Sequence, residues 1–444
     1  MQMIRKHRIF MLSAAALIVL GIAEGCTKSK PQGEEPEPVQ QPAAAQEQKE
    51  EPVKLIMAQK WSEINEADFN LYIVEPLKSK YPHITIELMK GENIPEMIAG
   101  GIIPDVIATW VNLISDYQEL DLTEDMTPLI QKHGLNLDRF EPNFLETIRG
   151  YDRKGLVALP YDSNFNLIYY NKDIFDQFGA PYPQDGMTWD ETVELAKRVS
   201  RVDQGTRYRG LETDGYGKLA LQLALPSVKD GKSNILREHE LWKKVLELQK
   251  TINSIPNNEP IPDVHQRNQF IKDRNLAMFA TGYNFNLLAQ DSAKGLNWDI
   301  AQYPSWPDRP NVVGMVDIHV AFVTKPSKHK DAAFKVLEIL TSDEIQRRMT
   351  RSSGKLSALK DSSIKRELGA DMPALKGKHL EAIFKGTYIP AYTATSRYPN
   401  ASKLLGDQVT KYLNGEQDLN EALRSADEAI QKHIDEVEAS RGAK

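Results

Sequence analysis

VKLIMA (Val53–Ala58), HITIELMKG (His83–Gly91) and PDVIATW (Pro104–Trp110) decide how this chain is read. The first is a short apolar run suited to a buried strand. In the second, Ile84, Ile86 and Leu88 alternate with polar partners, which is the period of a strand. Between them the polar turn QKWSEINE leads into a helical stretch that runs to Lys80. A strand, helix, strand, helix, strand order predicts parallel pairing with right-handed crossovers. Open sheets of this kind bind ligands beyond the carboxyl ends of their strands, and QKWSE and ATW both fall at such ends.

Further along, helices are marked by their caps. Thr188 and Glu191 (T-W-D-E) make a capping box ahead of apolar Val193, Ala196 and Val199, and Thr341 with Glu344 (T-S-D-E) repeats the pattern. KHKDAAFKVLEIL (Lys328–Leu340) is a periodic amphipathic helix. The C-terminal region reads as two helices broken at Asn414-Gly415. The expected fold class is therefore α/β with a helical C-terminal region.

The 444 residues carry a formal charge of -7 and no basic stripe with interleaved aromatics, so nucleic acid is not an expected partner. Cys26 is the only cysteine, which excludes an internal disulfide, a Cys-based metal site and a CxxC redox motif. Before it come the basic residues Arg5, Lys6, His7 and Arg8 and an apolar run from Ile9 to Ile22, the form of a signal peptide over residues 1–25. Residues 27–52 hold few apolar side chains and cannot offset their ordering entropy, so they read as a solvated tether. A signal ending before a cysteine and followed by a tether resembles a bacterial lipoprotein, which implies lipidation at Cys26 and an extracytoplasmic chain held at the membrane by its N-terminus. Gly25 fits that pattern, whereas Ala23 and Glu24 depart from it; a plain signal peptide cut nearby is the alternative. Beyond the tether, roughly 390 residues remain, enough for two lobes with ample cores.

Three further segments carry a second resemblance. They are GLVALPYDSNFNLIYYNKDIFDQFGAPYPQDGMTWDETVELAKRVS (Gly155–Ser200), LAMFATGYNF (Leu276–Phe285) and VGMVDIHVAFVTKPSKHKDAAFKVLEILTSDEIQRRMTRSSGKLSAL (Val313–Leu359). In order and spacing they resemble the sugar-type extracellular solute-binding proteins of ABC importers, the family that includes maltose-binding protein. Tyr283 stands where that family usually has tryptophan. The resemblance implies a periplasmic-binding-protein-like fold of two α/β lobes, joined by chain crossings near Asp162, Ile300 and Ser353, around a cleft that closes on ligand. Lobe 1 is expected over residues 53–162 and 301–353, and lobe 2 over 163–300 and 354–444.

A sugar presents C–H faces and a rim of hydroxyls, so its site needs flat aromatics and planar hydrogen-bonding side chains. The resemblance places Trp61 and Glu63 in a ligand-contact loop, with a solvated turn under a tryptophan lid as the plainer alternative. Trp110 should face the cleft from the end of its strand, unless it is an ordinary core aromatic. Asp162 and Asn164 lie where the chain leaves lobe 1, either on the cleft floor or as caps of a hinge turn. Tyr283 could stack and hydrogen-bond. Asp317, an acid among apolar neighbours, is costly to bury without partners and so suits a cleft. Trp306 is a weaker candidate, as a surface lid. The adjacent tyrosines Tyr169 and Tyr170 read as core rather than as ferric-ion ligands. No catalytic residue, metal or cofactor is expected, and the chain is expected to be a monomer.

The leading expectation is a receptor that captures a sugar or oligosaccharide and passes it to ABC permease subunits, without chemistry. A binding protein for another solute (peptide, polyamine or iron) shares the same fold and stays open. A secreted carbohydrate hydrolase using Asp162 and Asp317 as an acid pair is the third reading. It lacks support from H-E-x-x-H, G-x-S-x-G or a cysteine nucleophile.

Overall fold

The computed structural model describes residues 51–442, apart from 63, 91–93, 153–154, 262–263, 291–292 and 396. The expected signal peptide, Cys26 and Glu63 lie outside the described residues. Among the described residues, no helix is long and apolar enough to cross a membrane.

The strand Val53–Lys60 pairs in parallel with both Ile84–Lys90 and Val106–Trp110, as the strand and helix alternation predicts. Leu55, Met57, Val106 and Ile107 are fully buried in this ladder. Each such side chain contributes about 1.5–3 kcal/mol by leaving water. Three more strands complete a six-stranded sheet. Ile318–Val323 inserts antiparallel between Val106–Trp110 and Leu159–Ser163, and Leu356–Ser357 closes the edge beside Leu159–Ser163. Ile318–Val323 is buried along its whole length, consistent with an apolar run interrupted only by His319. The register sets His319 opposite Trp110 on one side and Asp162 on the other.

A second sheet has five strands, in the order Trp298–Gln302, Leu167–Asn171, Leu276–Thr281, Thr206–Thr213 and Arg201–Asp203. Tyr169 and Tyr170, on opposite faces of Leu167–Asn171, pack into two different apolar clusters, one on each side of the sheet. The helices Ala401–Asn414 and Leu419–Gly442 cover one face through Leu405, Val409, Leu423, Ala426 and Ile430. Gly415 terminates the first of them with φ 78°, a left-handed conformation that glycine adopts without steric cost.

The apolar core around the first sheet runs from Leu55 to Tyr161 and from Val316 to Ile364, whereas Phe165 to Val313 and Leu368 to Ile434 pack around the second. The chain therefore passes between sheets at residues 164–166, between Gln302 and Ile318, and between Ser357 and Leu368. The later two passages come further along than the expected positions near Ile300 and Ser353. Ile300 and Ala301 pair with Tyr169 and Ile168 inside the second sheet, and Leu356 and Ser357 pair with Ser163 and Asp162 in the first.

A small parallel ribbon of Val312–Met315 and Thr387–Ile389 stands where the lobes join. Asn166 donates its backbone N–H to the Tyr388 hydroxyl at 2.9 Å and its Nδ2 to the Val313 carbonyl at 2.9 Å. A methyl group on Gly314 would lie 2.6 Å from that Nδ2 and 3.2 Å from the Tyr388 ring, so only glycine lets these strands approach.

The Thr188 capping box is present, with both reciprocal bonds made. The second expected box, Thr341 with Glu344, is not formed. Thr341 is spent on the end of the helix Lys330–Leu340, donating to the Leu337 carbonyl at 2.7 Å, and Ser342 caps the helix Asp343–Ser353 instead.

Candidate functional site

Trp61 follows the last residue of Val53–Lys60 and has φ 54°, a left-handed backbone that is uncommon for a bulky residue. Local bonds hold it there. Gln59 accepts from the Ser62 hydroxyl and donates its Nε2 to the Ile64 carbonyl at 2.8 Å, while the Tyr161 hydroxyl donates to the Ser62 carbonyl at 3.1 Å. The turn thus presents the Trp61 ring outward, 66% exposed. It stacks on Trp110, with ring centroids 6.2 Å apart and planes 25° from parallel.

Trp110 donates its indole N–H to Asp317 Oδ1 at 2.8 Å, and Asn164 Nδ2 donates to the same oxygen at 3.3 Å. Asp317 is held in turn by its own carbonyl, which accepts from the Asn164 backbone at 2.8 Å and from the Ser163 hydroxyl at 3.2 Å. Asn164 Oδ1 is buried with no partner. Four of the expected residues, Trp61, Trp110, Asn164 and Asp317, therefore meet at the carboxyl ends of the central strands. Flat apolar rings beside a half-buried carboxylate and an amide suit a polyhydroxylated ring.

Asp162, expected to offer its carboxylate to the ligand or to cap a hinge turn, does neither. It is 2% exposed, accepts from His319 Nδ1 at 2.5 Å and has the Lys355 ammonium 4.0 Å from its other oxygen. Burial alone would push its pKa up, but the charges of His319 and Lys355 and the hydrogen bond from His319 hold it below the usual carboxylate range. The cross-strand register that sets His319 against Asp162 causes this pairing.

Tyr283 lies on the other lobe and reaches across. Its hydroxyl donates to the Ser353 carbonyl at 2.5 Å, and the Lys355 ammonium stands 4.5 Å from its ring centre. Phe165 meets the ring edge-on, with centroids 5.8 Å apart. Beside Tyr283 is a cavity of about 360 Å³, lined by Ile64 and Asn65 of the first lobe and by Arg267, Tyr283, Asn284 and Asn286 of the second. Asn65, Arg267, Asn284 and Asn286 escaped the sequence reading. The signal for two of them was the polar Y-N-F-N run directly after the apolar strand Leu276–Thr281.

Trp306, expected as a surface lid, is 3% exposed and packs against Trp189 with the Lys244 ammonium 4.7 Å from its ring. It borders a larger cavity of about 930 Å³ whose walls come from the second lobe alone. That cavity contains no residue of the first lobe and so is separate from the cleft.

The comparisons with known proteins agree with this architecture. The model of the bacterial extracellular solute-binding protein family matches residues 60–347. A binding protein assigned by inference in Brucella abortus (strain 2308) is 24% identical over 283 residues; the match spans 60% of this chain and 64% of that relative, less than two thirds of its length. The mannitol-binding protein of Pseudomonas aeruginosa is 39% identical over 74 residues, 16% of this chain and 17% of that one. Among solved structures, an ABC substrate-binding protein of Listeria monocytogenes in complex with cycloalternan superposes with a TM-score of 0.69 at 19% identity, covering 86% of this chain and 99% of that chain. At that identity the likeness is one of fold, the two-lobed α/β arrangement of periplasmic binding proteins. With the family model covering well over half of its length, this chain belongs to the bacterial extracellular solute-binding proteins.

Proposed function

We propose that this protein is the receptor of an ABC importer, which captures a sugar or oligosaccharide between its lobes and hands it to the permease without altering it. The observation that carries the reading is the stacked Trp61–Trp110 pair set against Asp317 and Asn164 at the carboxyl ends of the first sheet. The membership of the family and the mannitol- and cycloalternan-binding relatives support the solute class. Ligand bridging both lobes favours the closed form, and the permease distinguishes closed from open. Lipidation at Cys26 holds the receptor at the membrane. Mass spectrometry of the mature N-terminus tests that part, and a chain beginning at Cys26 without a diacylglycerol mass would refute it.

Intrinsic fluorescence is well placed to test binding. Of six tryptophans, Trp189, Trp242, Trp298 and Trp306 are at most 3% exposed, which leaves Trp61 and Trp110 to respond to a ligand. Titration with mono- and oligosaccharides should give a saturable change that Trp110→Ala moves to roughly thirtyfold higher concentration, with the sugar recovered intact. A response to peptide, polyamine or ferric citrate alone would keep the fold and overturn the solute class, and turnover of the sugar would overturn the receptor.

A further inference from the structure

Arg267 is a half-buried arginine of the second lobe. Arg207 pairs with Glu259 at 3.4 Å and Arg209 with Glu212, whereas Arg267 has no carboxylate partner among the described residues. Its Nε is buried without a hydrogen-bond acceptor, at the wall of the interlobe cavity. A guanidinium N–H removed from water without an acceptor is costly, and the cost is relieved when an anion accepts from it.

A second orphaned group lies on the same wall. Asn284 is 4% exposed; its Nδ2 donates to the Gly282 carbonyl at 3.2 Å, while its Oδ1 is buried with no donor. That oxygen can only accept, so it calls for a hydroxyl. The Tyr283 ring, a flat surface, lines the same cavity. The nearby carboxylate Asp68 is already taken, accepting from Asn65 Nδ2 at 2.6 Å and from the Ser353 hydroxyl at 3.4 Å. A further cation stands close by, since a methyl on Gly282 would lie 3.7 Å from the Lys218 ammonium.

We propose that the solute is a polyhydroxylated anion, a sugar carrying a carboxylate or phosphate group, with Arg267 binding the anionic group and Asn284 accepting from a hydroxyl. This rests on the reading of the cleft as a sugar site. Arginine suits the task because its planar fork of donors matches both kinds of oxyanion.

The test is calorimetric titration of the full chain with matched pairs: D-glucose against D-glucuronate, D-galactose against D-galacturonate, and D-glucose against α-D-glucose 1-phosphate. One acid is expected to bind at least about tenfold more tightly than its neutral counterpart, and which arm responds separates carboxylate from phosphate. Arg267→Gln should erase that preference, while Arg267→Lys, which keeps the charge, should retain part of it and shows that the loss is not one of folding. Neutral sugars binding as well as their acids, or a preference unchanged in Arg267→Gln, would overturn the anionic solute and leave the sugar receptor standing. If no member of any pair binds, both readings fall together.

Discussion

Asp162 and Asp317 stand beside neighbouring positions of one sheet and meet opposite fates. Asp162 faces inward between His319 and Lys355, two groups that carry or can carry positive charge, and its charge is settled within the protein. Asp317 is half-buried and, among the described residues, its side chain receives neutral donors, the Trp110 indole and the Asn164 amide. Its negative charge is therefore oriented without being neutralised, which is the condition for a group that must still hydrogen-bond a ligand. On the proposed reading, a carboxylate's role in this protein follows from the charge of its partners more than from its distance to the cleft.

The strongest way to break this comparison is to remove each acid in turn. Asp162→Ala leaves His319 buried without the carboxylate it pairs with and should cost about 3–5 kcal/mol in urea unfolding. Asp317→Ala should cost no more than about 1 kcal/mol in stability, the scale of an ordinary hydrogen bond, while lowering sugar affinity in the fluorescence titration. Equal stability losses from the two variants would end the distinction.

Next in size is the effect of the aromatic platform. Trp110→Ala removes both the stacking surface and the donor that orients Asp317, and should weaken ligand binding by about 2 kcal/mol, roughly thirtyfold. Its stability loss should be smaller than that of Asp162→Ala. A binding loss confined to Trp110→Ala, with Asp317→Ala binding as tightly as the parent, would assign the site to stacking alone.

Acid titration sharpens the same contrast. The Asp162 pKa is depressed in the folded state, so its stabilisation is present above the unfolded value of about 3.9 and is lost as pH falls through the lower folded value. The melting temperature should therefore drop below about pH 4. Asp68 opposes this, because burial raises its pKa despite its hydrogen bonds with Asn65, Tyr72 and Ser353 and the nearby Lys355 charge, so folding moves it toward protonation relative to the unfolded chain. Asp162→Asn should flatten the acid slope; an unchanged slope would place the acid sensitivity elsewhere.

Much of the fold was legible because it is written in local period. Ile84, Ile86 and Leu88 alternate, VIA follows Asp105, and the three strands pair in parallel as that order requires. What stayed hidden depends on pairing between distant segments. Nothing local in Trp298–Gln302 says that it joins Leu167–Asn171, so the second passage between lobes was expected too early. The fate of Asp162 turned on the register of His319, a residue 157 positions away. Trp61 came from the resemblance and Trp110 and Asp317 from their strand ends or apolar surroundings, and the structure brings the three together. Arg267 and Asn284 were not readable, since a polar residue in a loop carries no period, and only the meeting of the lobes makes either one a wall of the cavity.

The smallest expected effect tests whether the platform is set before any ligand arrives. Trp61 holds φ 54° in a turn pinned by Gln59 and by the Tyr161 hydroxyl. A non-glycine residue there carries about 1–2 kcal/mol of backbone strain, which glycine lacks. Glycine also loses more freedom on folding than alanine, by roughly 0.5–1 kcal/mol. If the turn is rigidly left-handed, Trp61→Gly should therefore be more stable than Trp61→Ala by up to about 1 kcal/mol, the reverse of their order in ordinary strands and helices. Both variants lose the same stacking on Trp110, so their difference isolates the backbone. Alanine proving the more stable would mean that the turn relaxes once the ring is gone, and that the tryptophan pair is positioned by its own stacking rather than by the loop beneath it.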